Sequence, residues 1–514
     1  MSFDASLRAL DPDQRAAVLA TERETLVRAQ VGSGKTTVLV HRAAYLHLVC
    51  GVPLERIALV TFTNRAADEL RTRLDALLGR STTPGECWLV GTFHGVASAL
   101  LRRTARSFTI LDDEQAIELA VSVARRLRVK PGRRATLRDR LASDPALAHL
   151  AAAVTAERHA RGALDFDDLI EHATALLTEE ASPAEHVLVD ELQDCEPREL
   201  RFLRALVGPA TGYFAVGDPL QSIYGWRGAT PELFAQFTSR CRVLPRSYRS
   251  TQTVLVGARA VLGAQPADLG ELVPMRGPGA TISIVRHHDV TAEAAYLAAR
   301  LAELHAGGVP WRELAVLCRL RAQVADLVAA LATRGVPCVY DLDHVVEPTA
   351  PIEAGEPAGV RVLTIHAAKG LEFAHVFVSG ANVGVLPLLR DPDAPSARHA
   401  DPAEERRLLF VALTRAREAV EISYHACPHA YGAFGIASPL LALLPAEVVT
   451  RTDRLESAPS DGAWRIGQRV RHARYGQGTI TAIAGDTIDC DFGKLGSRAF
   501  PRALCPLTST SPSG

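Results

Sequence analysis

A glycine-rich turn between two short apolar runs constrains the fold of this chain more than any other feature. The turn, Gln30–Thr37, reads Gln-Val-Gly-Ser-Gly-Lys-Thr-Thr and lies between Thr25-Leu26-Val27 and Val38-Leu39-Val40. This pattern predicts a buried strand that passes through a tight loop into a helix. Such a loop points backbone N–H groups and the positive end of the helix at an anion. We therefore expect a phosphate-binding loop.

The residues within this loop suit a nucleoside triphosphate and its metal ion. Gly32, Ser33 and Gly34 would supply the backbone N–H groups. Lys35 would reach the β- and γ-phosphates, and the hydroxyl of Thr36 would bind Mg²⁺. The usual pattern has glycine where this chain has Ala29, so the motif needs partners elsewhere in the chain.

Two adjacent acids later in the chain are the partners that a phosphate loop requires. The apolar run Val187-Leu188-Val189 is followed directly by Asp190 and Glu191. A carboxylate at the end of a buried strand can hold Mg²⁺ through water, and its neighbour can orient the attacking water. A strand with terminal acids is common, but its combination with an upstream phosphate loop is much less so.

Other predicted strands end in aromatic, hydroxyl and amide side chains, at the place where α/β sheets bind ligands. For Gln14, which can pair with an adenine edge, an exposed helix position is the alternative. For Trp226, core packing is the alternative to base stacking. Gln221 is expected to sense the γ-phosphate. The remaining candidates follow the predicted strands Ile57–Val60, Trp88–Val90 and Phe214–Asp218, and are Phe62, Thr63, Asn64, Thr92, His94, Tyr224 and Arg227.

Length and composition exclude several classes of protein. A chain of 514 residues predicts three or four domains, and no run approaches the ~20 apolar residues of a membrane span. The nine cysteines form no Cys-x-x-Cys pair, which argues against a zinc site and a disulfide framework, so we expect small buried cysteines and a cytoplasmic protein. The formal net charge is −1, although arginines concentrate between residues 125 and 140. That segment is either a solvated helix face or a surface that follows a nucleic-acid backbone.

Three longer motifs complete the pattern: Pro245–Ser250, Thr364–Phe373 and Glu404–Ala416. Together with the motif order from Gln14 to Trp226, they make the chain resemble the UvrD/Rep/PcrA family of superfamily-one DNA helicases over roughly residues 8–450. The resemblance implies an α/β fold with two RecA-like P-loop motor domains, a helical insert in the first and a small C-terminal β-barrel.

The resemblance also implies domain boundaries. The family's large 2B subdomain would be reduced here to a short Pro/Glu-rich segment, which leaves strand separation open. The expected boundaries are 1–95 with 185–250 for the first motor, 96–184 for the basic 1B-like insert, 251–450 for the second motor with 341–359 in place of 2B, 451–463 for a linker, 464–508 for a Tudor/SH3-like module and 509–514 for a tail.

Site residues are carried over from the family motifs one by one. Arg249 and Arg415 resemble arginine fingers that act on the γ-phosphate, and Tyr248 resembles the residue that stacks on adenine. Gln30 stands where the family usually has glycine, Thr37 stands where it commonly has an arginine, and Glu372 falls in a nucleotide-binding motif. The residues that resemble contacts to the DNA strand are Phe62, Thr63, Asn64, Thr92, His94, Tyr224, Trp226, Arg227, Lys369 and His366, the last with a purely structural role as its alternative.

These features predict an ATP- and Mg²⁺-dependent motor on single-stranded or junction DNA. By resemblance it moves 3′ to 5′ and acts in repair or replication, and its C-terminal module implies a protein partner such as RNA polymerase or a repair factor, with a structural cap as the alternative. A second hypothesis is an ATP-gated factor that remodels DNA or polymerase complexes without processive unwinding. A helicase–nuclease subunit is disfavoured because nothing after Arg415 gathers the carboxylates of a metal nuclease.

Overall fold

The computed structural model describes residues 3–104, 107–130, 137, 140–141, 144–209, 211–225, 228–229, 241–263, 270–340, 359–389, 401–427, 435–455, 464–472, 476–485, 487–493, 496–501 and 507–509. The chain divides into two compact units. The first comprises described residues of Met1–Val27, Thr36–Gly217 and Phe237–Arg242, and the second those of Arg28–Lys35, Asp218–Gln236 and Val243–Gly514.

The first part of the chain alternates strands with helices, as the periodic apolar runs predict. Its strands are β1 Glu24–Ala29, β2 Ile57–Thr61, β3 Val90–Thr92, β4 Thr109–Ile110, β5 Ala163–Leu164, β6 His186–Val189, β7 Gly212–Gly217 and β8 Cys241–Leu244. Its α-helices are α1 Phe3–Ala9, α2 Pro12–Val18, α3 Lys35–Leu48, α4 Asn64–Leu78, α5 Phe93–Arg103, α6 Asp113–Arg126, α7 Ala148–Ala160, α8 Phe166–Glu179 and α9 Pro197–Leu206.

A six-stranded sheet in the order β3-β2-β6-β7-β1-β8 organises these elements. The pairs β2–β3, β2–β6 and β6–β7 are parallel. Strands β2 and β7 are buried along their whole length, as is expected of strands covered on both faces. The parallel pairs bring the carboxyl ends of β2, β3, β6 and β7 to one edge of the sheet.

The later part of the chain forms a larger parallel sheet and an antiparallel sheet. Its strands are β9 Arg246–Ser247, β10 Val273–Pro274, β11 Ile282–His287, β12 Leu314–Cys318, β13 Cys338–Val339, β14 Val360–Thr364, β15 Phe373–Val378, β16 Ala416–His425, β17 Val449–Arg454, β18 Arg469–His472, β19 Gly476–Ala484, β20 Thr487–Asp491, β21 Ser497–Pro501 and β22 Leu507–Ser509. Its α-helices are α10 Gln252–Leu262, α11 Val290–Ala306, α12 Arg321–Ala332 and α13 Pro402–Leu413.

Seven strands pair in the order β13-β14-β12-β15-β16-β11-β17, and every pair in this sheet is parallel. Buried side chains of the sheet form one core with α10 and α13, which also includes Val31 from the phosphate loop and Ile223, and a second core with α11 and α12. Because Val31 shares the first of these cores, the loop is anchored to the second unit.

The antiparallel sheet of the C-terminal segment has the order β21-β20-β19-β18-β22. Val470, Ile480, Ile488, Phe492 and Phe500 are among the buried residues of its core. A five-stranded antiparallel module is therefore present where the sequence predicts one. Closure of this sheet into a Tudor/SH3-like barrel stays a prediction.

One predicted strand differs from the structure. The run Trp88–Val90 is mostly a turn, in which the indole Nε1 of Trp88 donates to the carbonyl of Glu55 at 3.0 Å, and β3 begins only at Val90. The segment 341–358 lies outside the described residues.

The cysteines follow their prediction only in part. Cys87, Cys195, Cys318 and Cys490 are buried, whereas Cys50 and Cys241 are exposed and two more are partly buried. The eight cysteines within the described residues are free thiols. Across the same residues, no helix has both the length and the apolar character that crossing a membrane requires.

Candidate functional site

The predicted acids lie at the carboxyl edge of the first sheet. The backbone N–H of Asp190 donates to the carbonyl of Val60 at 2.9 Å, so Asp190 extends the β2–β6 pairing by one residue. On the other side of β2, Thr61 pairs in register with Thr92. Asp190 is 4% exposed, and its Oδ1 accepts from the N–H of Glu191 at 3.0 Å. The carboxylate is thus fixed at a buried strand end.

Glu191 has a backbone conformation that a residue other than glycine seldom adopts. Its φ is +50° and its ψ is +42°, in the left-handed region. Its Oε2 accepts from the side-chain amide of Gln193, which is completely buried, at 2.5 Å. Strained backbone of this kind is concentrated at functional sites, since it persists only where the surroundings enforce it.

The predicted DNA-contacting residues of the first unit surround the same edge, and two of them also stabilise helices. The hydroxyl of Thr63 caps α4 by accepting from Ala66, and that of Thr92 caps α5 by accepting from Gly95. Asn64 is exposed as the first residue of α4. The rings pair as Phe62 with Phe93, at 5.1 Å between centroids, and His94 with Phe166, edge-on at 5.3 Å.

Gln14 closes a capping box rather than lying exposed on its helix. Asp11 accepts from the N–H groups of Asp13 and Gln14, and the side-chain oxygen of Gln14 accepts from the N–H of Asp11 at 3.2 Å. Gln14 is 7% exposed. The cap orients its amide, and the predicted pairing with adenine stays a prediction.

Thr36 and Thr37 lie in the first turn of α3, as the sequence predicts. The carbonyl of Thr37 is 2.7 Å from Nδ1 of His41, and Arg73 donates to its hydroxyl at 3.5 Å. The hydroxyl of Thr36 and the carboxylate of Asp190 are hard oxygen donors, the type that Mg²⁺ prefers. This donor set therefore fits the predicted metal.

The phosphate loop has the geometry of an anion cradle. Lys35 begins α3, and Gly32 and Gly34 have φ values of +69° and +79°, which favour glycine. The carbonyl of Gly32 accepts from the N–H of Tyr248 at 2.9 Å. A Cβ on Gly32 would lie 2.6 Å from Cβ of Arg249, so only glycine allows the arginine segment to approach this closely.

The glutamine that replaces a usual glycine is accommodated by hydrogen bonds. The N–H of Gln30 donates to the carbonyl of Leu244 at 3.0 Å, and its side-chain amide donates to the carbonyl of Gly270 at 3.3 Å. Gln30 is 3% exposed, and neighbouring Ser33 is 1% exposed. This departure from the family pattern leaves the cradle intact.

Arg249 is held beside the loop by an acid. Its Nε donates to Oε2 of Glu372 at 2.7 Å, and Nη1 of Arg417 is 3.6 Å from the other oxygen of that carboxylate. Burial alone would raise the pKa of Glu372, but the guanidinium groups outweigh it and the net pKa is lowered. The ring of Tyr248, next in the chain to Arg249, is 41% exposed, as a stacking surface requires.

Arg415 and Gln221 form a buried pair. The guanidinium is 1% exposed and donates to Oε1 of Gln221 at 2.9 Å, and to the carbonyls of Leu371 and Val411 at 3.1 Å each. The other end of the Gln221 amide donates to Oδ2 of Asp218 at 2.6 Å. The amide therefore links the second predicted arginine finger to an acid at the end of β7.

The backbone of the same glutamine connects to the predicted DNA-contacting residues of the second unit. Nζ of Lys369 donates to the carbonyl of Gln221 at 2.6 Å and lies 5.1 Å from the ring centroid of Tyr224. The hydroxyl of Tyr224 donates to the carbonyl of His366 at 3.4 Å. Burial, together with Arg319 and Lys369, lowers the pKa of His366 to about 3, so its imidazole is neutral.

Two predicted DNA-contacting residues, Trp226 and Arg227, lie outside the described residues. Conversely, sequence reasoning missed Gln193, Asp218 and Arg276. Arg276 donates to the carbonyls of Arg249 and Arg417 at 2.9 and 3.0 Å and so ties together two arginine-bearing segments. Gln193 and Asp218 were recognisable as polar residues next to strand-end motifs, but nothing local indicated Arg276.

Parallel sheets, a glycine cradle that opens a helix and acids at the strand ends define an α/β P-loop nucleotide-binding protein. The sequence profile of the UvrD/REP helicase N-terminal domain matches residues 10–129 and 111–242, and that of the UvrD-like helicase C-terminal domain matches residues 351–427. The chain belongs to the UvrD/PcrA-type superfamily-one helicases.

Curated relatives carry the same family names. The chain is 29% identical to the ATP-dependent DNA helicase UvrD2 of Mycobacterium tuberculosis over 559 residues, which covers 82% of this chain and 80% of the relative. It is 26% identical to DNA helicase II of Escherichia coli over 699 residues, 94% and 96% of the two chains. It is 33% identical to UvrD1 of Mycobacterium bovis over 390 residues, 65% and 50% of the two chains.

Proposed function

We propose that the protein is an ATP-dependent DNA helicase that translocates along single-stranded DNA in the 3′ to 5′ direction, in DNA repair or replication. Its family and the names of its relatives support the ATP-dependent helicase activity. The direction and the pathway are our inference from the motif resemblance. The observation that carries the coupling of ATP to DNA is the position of Gln221 between Arg415 and Lys369.

We infer the nucleotide-binding roles from the motif resemblance, and the geometry of each unit supports them. In the first unit, Thr36 and Asp190 would hold Mg²⁺, which neutralises phosphate charge, and Glu191 would orient the attacking water. In the second unit, the cradle with Lys35 would bind the phosphates, and Tyr248 would stack on adenine. Gln221, Arg249 and Arg415 would contact the γ-phosphate, with Glu372 holding Arg249 in place. Gln14 and Thr37 would contact the base.

Coupling to DNA would run through the segment between β14 and β15. It begins at the carboxyl end of β14, near His366, and reaches the amino end of β15, at Glu372. Lys369 lies between them and binds the backbone of Gln221. A strand that moves His366 or Tyr224 would therefore disturb the hydrogen-bond partner of Arg415. In the first unit, Phe62, Thr63, Asn64, Thr92 and His94 would contact single-stranded DNA.

A reduced 2B subdomain agrees with the alignments. The alignment to DNA helicase II extends over 699 residues although this chain has 514, so the relative contains segments without a counterpart here. The segment 341–359 is where we infer the main reduction. The alternative is an ATP-gated factor that remodels DNA or polymerase complexes without processive unwinding, with the C-terminal sheet contacting its protein partner.

A stopped-flow assay distinguishes the translocating helicase from the ATP-gated factor. Labelled single strands of increasing length report translocation. Duplexes with a single 3′ tail or a single 5′ tail report unwinding and its direction. We expect a lag in the signal that grows with strand length, and unwinding of the duplex with the 3′ tail. DNA-stimulated ATP hydrolysis without any length-dependent lag would instead support the gated factor.

A further inference from the structure

The helical insert contains a group of metal-binding side chains outside the proposed helicase site. His159 of α7 and Asp168 and His172 of α8 each offer a ligand atom, and these atoms lie within 4.8 Å of one another. Nε2 of His159 is 3.4 Å from Oδ2 of Asp168. The two imidazole rings are perpendicular, with 5.3 Å between centroids. Bonds of 2.0–2.1 Å in a tetrahedral site separate ligand atoms by about 3.4 Å, so little rearrangement is required.

The surroundings of Asp168 have the character of a second coordination shell. Arg158 donates to its Oδ1 at 2.8 Å and approaches Oδ2 within 2.5 Å, and the N–H of Asp165 donates to Oδ2 at 3.2 Å. Ligating carboxylates are commonly held by such outer hydrogen bonds, which fix their orientation. Asp168 is 6% exposed, whereas His159 is exposed, so a metal ion can enter from the histidine side.

The local charge also favours a cation. Arg158 forms ion pairs with both Asp165 and Asp168, so its single positive charge faces two carboxylates. Arg158, Asp165 and Asp168 together therefore carry one net negative charge. Two imidazoles and one carboxylate are the ligand set of open zinc sites, in which water occupies the fourth position.

We propose that His159, Asp168 and His172 bind a divalent transition metal ion of the zinc class. The cysteine spacing argues against a thiolate site, whereas this site uses imidazole and carboxylate ligands. Because one ligand comes from α7 and two come from α8, the metal clamps these helices together. Phe166, the first residue of α8, contacts His94 edge-on, so the clamp stabilises the surroundings of that residue. The site is independent of the proposed helicase function.

Metal binding by the full chain tests this proposal. Chelator-stripped protein is titrated with Zn²⁺ by calorimetry, and with Co²⁺ while its visible absorption is followed. We expect one equivalent bound, a Co²⁺ spectrum of a tetrahedral site, and a higher melting temperature with metal. His172→Ala should weaken binding about tenfold or more, whereas His149→Ala, at an exposed histidine of the same helix α7, should not change it.

His159→Gln provides a second variant if His172→Ala does not fold, as judged by circular dichroism. Asp168 is unsuitable because it also completes the capping box of α8 and pairs with Arg158. The proposal is overturned if the wild-type chain takes up no stoichiometric Zn²⁺. It is also overturned if His172→Ala and His159→Gln, where they fold, bind Zn²⁺ as tightly as the wild type. The group is then an ion-pair network only.

Discussion

The guanidinium of Arg415 is buried and donates to the side-chain oxygen of Gln221 at 2.9 Å, although 194 positions separate the two residues in the chain. The amide nitrogen of the same glutamine donates to Asp218. Gln221 therefore cannot turn its amide without losing both hydrogen bonds. A change at Arg415 is thereby transmitted to Asp218, and a change at Asp218 to Arg415.

Replacing Arg415 with lysine should abolish most of the ATP hydrolysis. Lysine lacks the planar donors that contact Gln221 and the two carbonyls, and an arginine finger is worth about 10³–10⁵-fold in rate. We expect DNA-stimulated kcat to fall about 10³-fold with ATP binding largely retained, as measured by a coupled ATPase assay and by binding of a fluorescent nucleotide. Arg300→Lys, on the surface of α11, serves as the control, and a fall below tenfold would remove Arg415 from the proposed role.

Glu191→Gln should separate binding from turnover. The amide keeps the shape of the side chain but cannot accept a proton from water, while Asp190 and the cradle are unchanged. ATP and DNA affinities should stay within a few-fold of wild type and hydrolysis should fall at least about 10²-fold, with exposed Glu179→Gln unaffected. Substantial residual turnover would assign the activation of water to another residue.

Gly32→Ala tests the contact between the loop and the arginine segment. Alanine at positive φ costs about 1–2 kcal/mol, and its Cβ would also lie 2.6 Å from Cβ of Arg249. Gly51 has φ +74° with nothing within 4 Å of an added Cβ, so Gly51→Ala carries the backbone cost alone. We expect Gly32→Ala to weaken nucleotide binding at least tenfold and Gly51→Ala to leave it unchanged. Equal effects would show that the close approach is unimportant.

Stability should fall as the pH drops below neutrality. Burial lowers the pKa of His287 to about 4, so the unfolded chain binds a proton between pH 6.5 and 4 that the folded chain does not. Burial would raise the pKa of Glu293, but His425 and Ser423 lower it to about 2. The loss of stability therefore continues as the pH falls below 4.5. The contribution of these two groups to stability is therefore fully present above pH 6.5 and is lost progressively as the pH falls below that value.

Thermal unfolding between pH 7.5 and 4 measures this loss, which we expect to reach about 1–3 kcal/mol. His287→Phe should flatten the slope between pH 6.5 and 4, whereas the same substitution at His305 on the end of α11 should not. An unchanged slope in His287→Phe would assign the acid sensitivity to other groups.

The phosphate loop and the acidic strand end were predictable because their signals are local. Glycines, a lysine and a hydroxyl in consecutive positions specify a cradle, and an apolar run that ends in acids specifies a strand edge. The left-handed backbone of Glu191 was not predictable, since glutamate has no preference for that region. Thr63 and Thr92 each accept a hydrogen bond from the N–H group three residues further along the chain, and a capping pattern this local is recognisable from the sequence.

Contacts between distant parts of the chain were less accessible. The arrangement of Arg249 against Gly32 followed only from resemblance, because no spacing rule relates residues so far apart. The metal-ligating group was missed because its members lie on two helices and resemble ordinary surface residues in sequence. Burial of Gln30 was also hidden, because its hydrogen-bonding partners Leu244 and Gly270 lie more than 200 positions away in the chain.

The hydrogen bond from Tyr248 to Gly32 has a consequence for biosynthesis. A ribosome that adds 5–20 residues per second needs about 10–40 seconds to proceed from residue 32 to residue 248. During that interval the nascent cradle lacks the segment that closes against it. Nucleotide is therefore not expected to act as an early template for folding of the emerging chain, and its stabilising effect begins only after the tyrosine has left the exit tunnel.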